Sequence, residues 1–271
     1  VSTSVSVAYD KARADGRAAL VGYLPAGFPT VEGGIDALTT MVDAGCDIIE
    51  IGLPYSDPVM DGPTIQAAAQ QALDGGIRTT DVLRTVEAVA ATGVPTLIMT
   101  YWNPVERYGV DRFAQDLYDA GGAGLITPDL TPDFAPEWIT AADARDLDKV
   151  FLVAPSSTDE RIAMTTAACR GFVYATAVMG VTGARDATSD LAGPLVARTK
   201  AAIEVSAPGL PVGVGLGVSN GAQAAEVASY ADGVIVGSAF VRALLDHPGD
   251  ADAGRRALTA LTEDLARGVR A

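Results

Sequence analysis

The chain has 271 residues, 49% hydrophobic and 20% charged, which argues against general disorder and allows a large core. A formal net charge of -15 argues against nonspecific binding to nucleic acid or to an anionic membrane. It leaves a phosphate ligand open, because backbone N–H groups at helix starts bind phosphate without Lys or Arg.

Residues 1–17 are polar and charged, with no apolar segment of the kind a signal peptide needs. No run approaches the ~18 apolar residues of a membrane span. The two cysteines, Cys46 and Cys169, read as buried free thiols, and a reducing cytoplasm is the simplest compartment.

Short apolar runs rich in β-branched residues predict strands at 18–23, 47–52, 96–101, 123–127, 149–154, 172–176, 210–215 and 232–237. Most are continuous rather than alternating, as parallel strands covered on their outer face require. Between them lie segments of helical spacing. Residues 30–45 set Ile35, Leu38, Met41 and Val42 on one stripe and stop at Gly45. Residues 110–122 group Phe113, Leu117 and Tyr118 and also end in Gly. Two further helical stretches, roughly 62–74 and 79–92, fill the long gap after strand two. The pattern predicts a (β/α)8 TIM barrel, with extra helices at the N-terminus and after strand two, as one domain over 1–271. An open doubly wound sheet is the alternative; no dinucleotide fingerprint follows the first strand to support it.

A barrel of this kind carries its chemistry at the C-terminal ends of the strands. There, "EIGLPYSDPVMDGPTIQ" (50–66) sets a carboxylate, Glu50, among Ile48, Ile49 and Ile51 with no Lys or Arg in the stretch. Strand alternation puts Glu50 opposite Ile49 and Ile51. If those isoleucines face the helices, Glu50 points into the barrel mouth, where apolar surroundings raise its pKa and suit it to proton transfer. A structural carboxylate paired with a distant Arg or backbone N–H is the other reading. Asp61, before a helix, reads as a cap or as a site residue, and Asp57 as a turn former. "GVGLGVSN" (213–220) and "VGSAFV" (236–241) end the last two strands in loops suited to phosphate, with Gly217, Gly237 and Ser238 as candidates and Ser219 as a helix cap. The lone histidine, His247, excludes a Ser–His–Asp triad and a His-rich metal site. Lys149 and Lys200 lie away from the strand ends, against a Schiff base. Tyr101, Tyr174, Trp102 and Trp138 read as packing or pocket-lining residues.

The 50–66 stretch closely resembles the signature of the tryptophan synthase α subunit family. "GYLPAGFP" (22–29), "TYWNPVERYG" (100–109), "TPDL" (127–130), "GVTGAR" (180–185) and "VGVGLGVS" (212–219) follow in family order. The resemblance implies retro-aldol cleavage of indole-3-glycerol phosphate to indole and glyceraldehyde 3-phosphate. It implies Glu50 and Asp61 as the catalytic acids, with Asp61 on the indole N–H. Tyr23, Ile65, Tyr174 and Thr182 would contact substrate, and Gly183, Gly217, Gly237 and Ser238 would hold the phosphate. The segment Pro54, Tyr55, Ser56 and Asp57 would face a β subunit in an α2β2 heterotetramer. That partner would carry pyridoxal phosphate, and this chain no cofactor or metal. A free-standing lyase and a noncatalytic activator of the β subunit are the alternatives. Two positions depart from many members: Pro25, where Thr is common, and Val178, where a basic residue is common.

Overall fold

In the computed structural model, residues 4–176 and 189–271 are described. Nine parallel strands form one sheet: β1 Ala19–Pro25, β2 Ile48–Gly52, β3 Thr96–Met99, β4 Gly124–Ile126, β5 Asp148–Val150, β6 Leu152–Val153, β7 Val173–Thr176, β8 Val212–Gly215 and β9 Gly233–Val236. Their order is β5-β4-β3-β2-β1-β9-β8-β7-β6. The sheet's two ends are therefore consecutive in sequence, separated by Phe151 alone. β5 and β6 act as one stave interrupted at that residue, whose carbonyl accepts the Tyr174 N–H at 3.1 Å. The result is a nearly closed TIM barrel.

The strands sort their side chains as the alternation demands. Ile49 and Ile51 pack outward with the helices. Ile48, Val21, Leu97, Val150 and Ile235 fill the interior. Each such fully buried aliphatic contributes roughly 1.5–3 kcal/mol. Glu50, between the two outward isoleucines, therefore faces inward.

The helix at the N-terminus, α1 (Ser6–Ala14), closes the opposite end of the barrel. Its Tyr9 is 1% exposed and rests where Gly213 and Gly233 leave space; a Cβ on either would come within 2.9 Å of that ring or its hydroxyl. The Asp148 carboxylate accepts the Val5 N–H at 2.8 Å, just before α1.

Helix α2 (Val31–Ala44) is capped by Thr30, whose hydroxyl accepts the Gly33 N–H, and it ends at Gly45 with φ 121. The two helices after β2 are α3 (Pro63–Asp74) and α4 (Thr79–Ala90). Two expectations need correction. Tyr118 leaves the stripe of Phe113 and Leu117 and is 39% exposed. Ser219 is not the cap of helix Gly221–Ala228; Asn220 is, its side chain accepting the Gln223 N–H, while Ser219 donates to the Gln223 side chain. Among the described residues no helix is long and apolar enough to cross a membrane.

Candidate active site

The C-terminal strand ends surround an open cavity of about 170 Å³. Tyr23 comes from β1, Glu50 from β2, Met99 from β3, Leu152 from β6, Tyr174 and Thr176 from β7, Gly215 from β8 and Ile235 from β9. The irregular segment after β2 adds Val59, Met60, Asp61 and Gly62, and α3 adds Ile65. The loops after β8 and β9 add Leu216, Gly217, Gly237 and Ser238. Of the ten residues expected to act as catalysts or bind substrate and phosphate, eight line this one cavity. Thr182 and Gly183 lie outside the described residues, as does Val178.

Glu50 stands in register between Tyr23 and Leu97 and is 1% exposed. Among the described residues its Oε1 has no hydrogen-bond partner. Burial strips the carboxylate of water and raises its pKa to about 8. The alternative reading, a carboxylate paired with a distant Arg, finds no such Arg in the described structure.

Asp61 is not a helix cap. α3 starts two residues later with Gly62 as its unassisted N-cap and Pro63 in its first turn. The carboxylate lines the cavity instead. Burial raises its pKa, and a hydrogen bond from the Tyr101 side chain opposes that rise.

Two phenols lean over glycines. A Cβ on Gly52 would lie 2.2 Å from the Tyr23 hydroxyl oxygen, and one on Gly215 would lie 2.2 Å from that of Tyr174. The glycines give the phenols their space in the cavity wall. Burial first, and the nearby carboxylates second, push both phenols' pKa values up. Both are therefore neutral at neutral pH.

The phosphate candidates rest on backbone geometry. Gly217 has φ +80, which disfavours any side chain. Gly237 precedes the helix Ser238–Leu245, whose first turn has no side-chain cap, so its N–H groups are open to an anion. Arg242 of that helix donates to Thr64 of α3 at 3.2 Å, joining the two walls.

Pro54 is buried, Tyr55 half-buried, and Ser56 and Asp57 exposed. The segment is therefore partly surface, with Tyr55 accepting from Asn103 Nδ2 at 2.9 Å. His247 Nδ1 lies 3.0 Å from the Ala243 carbonyl oxygen, away from the cavity. Lys149 pairs with Asp143, and Lys200 sits 3.5 Å from Asp232. Among the described residues no group of three or more His, Cys, Asp or Glu is placed to hold a metal ion.

Sequence reasoning did not single out Val59, Met60, Gly62, Met99, Leu152, Thr176, Leu216 or Ile235. Alternation holds the signal for two of these. Met99 follows the inward Leu97, and Leu152 follows the inward Val150, each by two residues.

The site can bind an apolar ring among Met99, Leu152, Ile65 and Ile235, with a phosphate near Gly217 and Gly237. A carboxyl of high proton affinity and a second carboxylate face the space between. The profile of the family described as "Tryptophan synthase alpha chain" matches residues 9–270. The chain is 64% identical to the tryptophan synthase alpha chain of Salinispora arenicola over 266 residues, covering 98% of this chain and 97% of that one. It is 62% identical to that of Acidothermus cellulolyticus, covering 99% and 97%. A solved structure of Mycobacterium tuberculosis tryptophan synthase matches with a TM-score of 0.91 at 55% identity, covering 100% of both chains. Tryptophan synthase subunit alpha of Legionella pneumophila matches with 0.88 at 29% identity, covering 99% of both chains.

Proposed function

This chain belongs to the tryptophan synthase alpha chain family, and from that premise we propose which of its residues carry the family's reaction. The activity is a lyase step in tryptophan biosynthesis, cleaving indole-3-glycerol phosphate to indole and glyceraldehyde 3-phosphate. It needs no cofactor in this chain; pyridoxal phosphate belongs to the β subunit, the family's partner.

The observation that carries the assignment is Glu50, buried to 1% exposure in the cavity wall with a pKa of about 8. At neutral pH it holds a proton. Glu50 gives that proton to indole C3, and the ring becomes cationic. Asp61, ionised, accepts the indole N–H and stabilises the cation. Glu50, now a carboxylate, removes the proton of the hydroxyl adjacent to the breaking bond. The carbon–carbon bond electrons return to the ring, indole and the aldehyde separate, and Glu50 is protonated again. One carboxyl thus serves as acid and then base, which a pKa near the working pH favours.

Tyr23, Ile65 and Tyr174 shape the substrate's space, and Thr182 is a further substrate contact. Gly183, Gly217, Gly237 and Ser238 hold the phosphate through backbone N–H groups and the serine hydroxyl. The surface part of Pro54, Tyr55, Ser56 and Asp57 meets the β subunit in an α2β2 assembly in the cytoplasm. The whole chain, 1–271, acts as one barrel domain.

The test is release of glyceraldehyde 3-phosphate from indole-3-glycerol phosphate, with and without a matching β subunit. The expected result is slow cleavage alone and much faster cleavage in the complex. Glu50→Gln is expected to lower kcat by at least about 10²-fold. Equal, fast rates with and without partner would make the chain a free-standing lyase. No cleavage in either case would leave activation of the β subunit as its role and would remove Glu50 and Asp61 from catalysis.

A further inference from the structure

Among the described residues the cavity wall contributes two acids, Glu50 and Asp61, and no Lys, Arg or His. A phosphate monoester entering it brings up to about two more negative charges, and the chain as a whole carries -15. Backbone N–H groups give the phosphate bonds but no net charge, so the approach of a dianion is opposed unless a cation stands near the phosphate end.

Arg242 stands there. It lies one turn after Ser238 on the helix Ser238–Leu245, on the same face. Side chains of a helix lean back toward its N-terminus, which carries this one toward Ser238. Its Nη2 donates to Thr64 Oγ1 at 3.2 Å. Thr64 belongs to the first turn of α3, between Gly62 and Ile65, and both of these line the cavity. The guanidinium is thus held against the start of α3, beside the cavity but not in its wall.

The company it keeps is electropositive. The N-caps of the two helices, Gly62 and Gly237, supply no side-chain acceptor, so both helix starts present partial positive charge. Elsewhere arginines of this chain hold carboxylates: Arg84 meets Glu32 at 2.8 Å, Arg161 meets Asp133 at 3.1 Å and Arg198 meets Asp159 at 2.8 Å. Among the described residues Arg242 forms no ion pair, not even with Asp246 one turn further along its helix. Its side-chain partner is the neutral Thr64 hydroxyl. A guanidinium held by a neutral acceptor keeps its charge available to an incoming anion.

We propose that Arg242 is a specificity-determining residue for the cleavage reaction, its charge, held beside the cavity by Thr64, favouring a phosphate monoester dianion over an uncharged ligand. This rests on the reading of Gly217, Gly237 and Ser238 as the phosphate end. Arg242 acts through space on the phosphate, so it sets substrate binding and leaves the bond-breaking step to the two acids.

The experiment measures cleavage kinetics of indole-3-glycerol phosphate by the complex with the β subunit, for wild type, Arg242→Gln, Arg242→Lys and Thr64→Val. Calorimetric titrations of glycerol 3-phosphate, as the dianionic probe, and of indole, as the uncharged one, accompany it. An exposed charge pair is worth up to about fivefold in affinity, and the phosphate carries close to two charges. Arg242→Gln should therefore raise KM about three- to tenfold, with kcat within about twofold of wild type. The Kd of glycerol 3-phosphate should rise by a similar factor while that of indole stays put. Arg242→Lys keeps the charge and should hold KM within about twofold of wild type. Added salt should raise the wild-type KM more steeply than that of Arg242→Gln, because screening removes what the variant already lacks.

An unchanged KM and glycerol 3-phosphate Kd in Arg242→Gln would overturn the proposal. So would an equal loss of indole and glycerol 3-phosphate binding. Thr64→Val matching Arg242→Gln, with no rescue by Arg242→Lys, would make the tie between the two helices the cause rather than the charge, and would equally overturn it. Wild type that binds no glycerol 3-phosphate would instead remove the phosphate reading on which the inference rests. Wild type that binds it, with an indifferent Arg242→Gln, removes the inference alone.

Discussion

Glu50 takes its chemistry from what surrounds it. A carboxylate buried at 1% exposure loses its hydration, and no described cation replaces it, so the neutral form wins up to a pKa of about 8. The same imbalance makes the folded chain sensitive to pH. Unfolded, the group titrates near the ordinary 4.5; folded, near 8. Between those values the folded chain keeps a proton that the unfolded chain has released, so stability falls as pH rises from about 4.5 to about 8 and then levels. Glu50→Gln lacks this slope. Relative to wild type it should gain stability across that window, by at most about 5 kcal/mol. Denaturant unfolding of both proteins at pH 5 and pH 8.5 measures it; a stability difference that stays constant with pH would contradict the buried titration. Glu50 was legible in the sequence because three isoleucines around one acid fix both its face and its environment. Asp61 was not separable from a helix cap, since the cap geometry depends on whether the helix starts at Gly62 or earlier. Tyr101 gave no sign of its hydrogen bonds, which join residues far apart in the chain.

Elements were more legible than their ends. Continuous apolar runs located every barrel stave, and the helices after β2 were expected within a residue or two of where they lie. The break at Phe151 was not visible, because "VFLVA" (150–154) is uniformly apolar and the interruption comes from strand geometry at the seam. Gly215 lines the cavity and also leaves room for the Tyr174 phenol, a contact between neighbouring strands that spacing along one strand does not reveal. The N-terminal helix shows how glycine spacing and an aromatic act together at the barrel's other end. Gly213 and Gly233 leave an opening, Tyr9 fills it, and the Tyr9 ring lies 5.5 Å from that of Phe172. Tyr9→Ala would empty this plug and should cost about 3–5 kcal/mol, read as a lower denaturant midpoint. Because the cavity lies at the far end of the strands, KM for substrate should change little. A destabilisation under about 1 kcal/mol would mean that α1 closes the barrel without bracing it.

At the scale of the whole molecule, the loops over the strand ends are tied to one another. Asn103, after β3, donates to Tyr55, after β2, at 2.9 Å. The Trp102 N–H meets both Asp129 oxygens, after β4, at 3.0 and 3.1 Å. The turn Pro132–Phe134 continues that loop and is pinned by the Arg161–Asp133 ion pair at 3.1 Å. Along this connected rim stand exposed apolar side chains: Val59, Met60 and Phe134, the last 75% exposed. Apolar groups on such a rim favour burial by a partner. The bond from the Met60 N–H to the Tyr101 hydroxyl ties this rim to the segment holding Asp61, and a two-state displacement of these loops would link docking to the acids proposed as catalytic. None of this was legible from composition, because the rim is assembled from three loops that the barrel alone brings together. Phe134 is the position at which to separate docking from chemistry, since it lies outside the cavity. If the β subunit covers Phe134, Phe134→Asp would place a charge in that interface. It should raise the Kd for the β subunit at least about tenfold. Cleavage by the isolated chain should be unchanged, and saturating β subunit should restore most of the activation. Titration calorimetry with the β subunit, together with cleavage rates across the same concentrations, makes the distinction. Unaltered affinity would place the partner elsewhere on the rim, whereas a loss of activation at full occupancy would make the Phe134 turn part of the coupling itself.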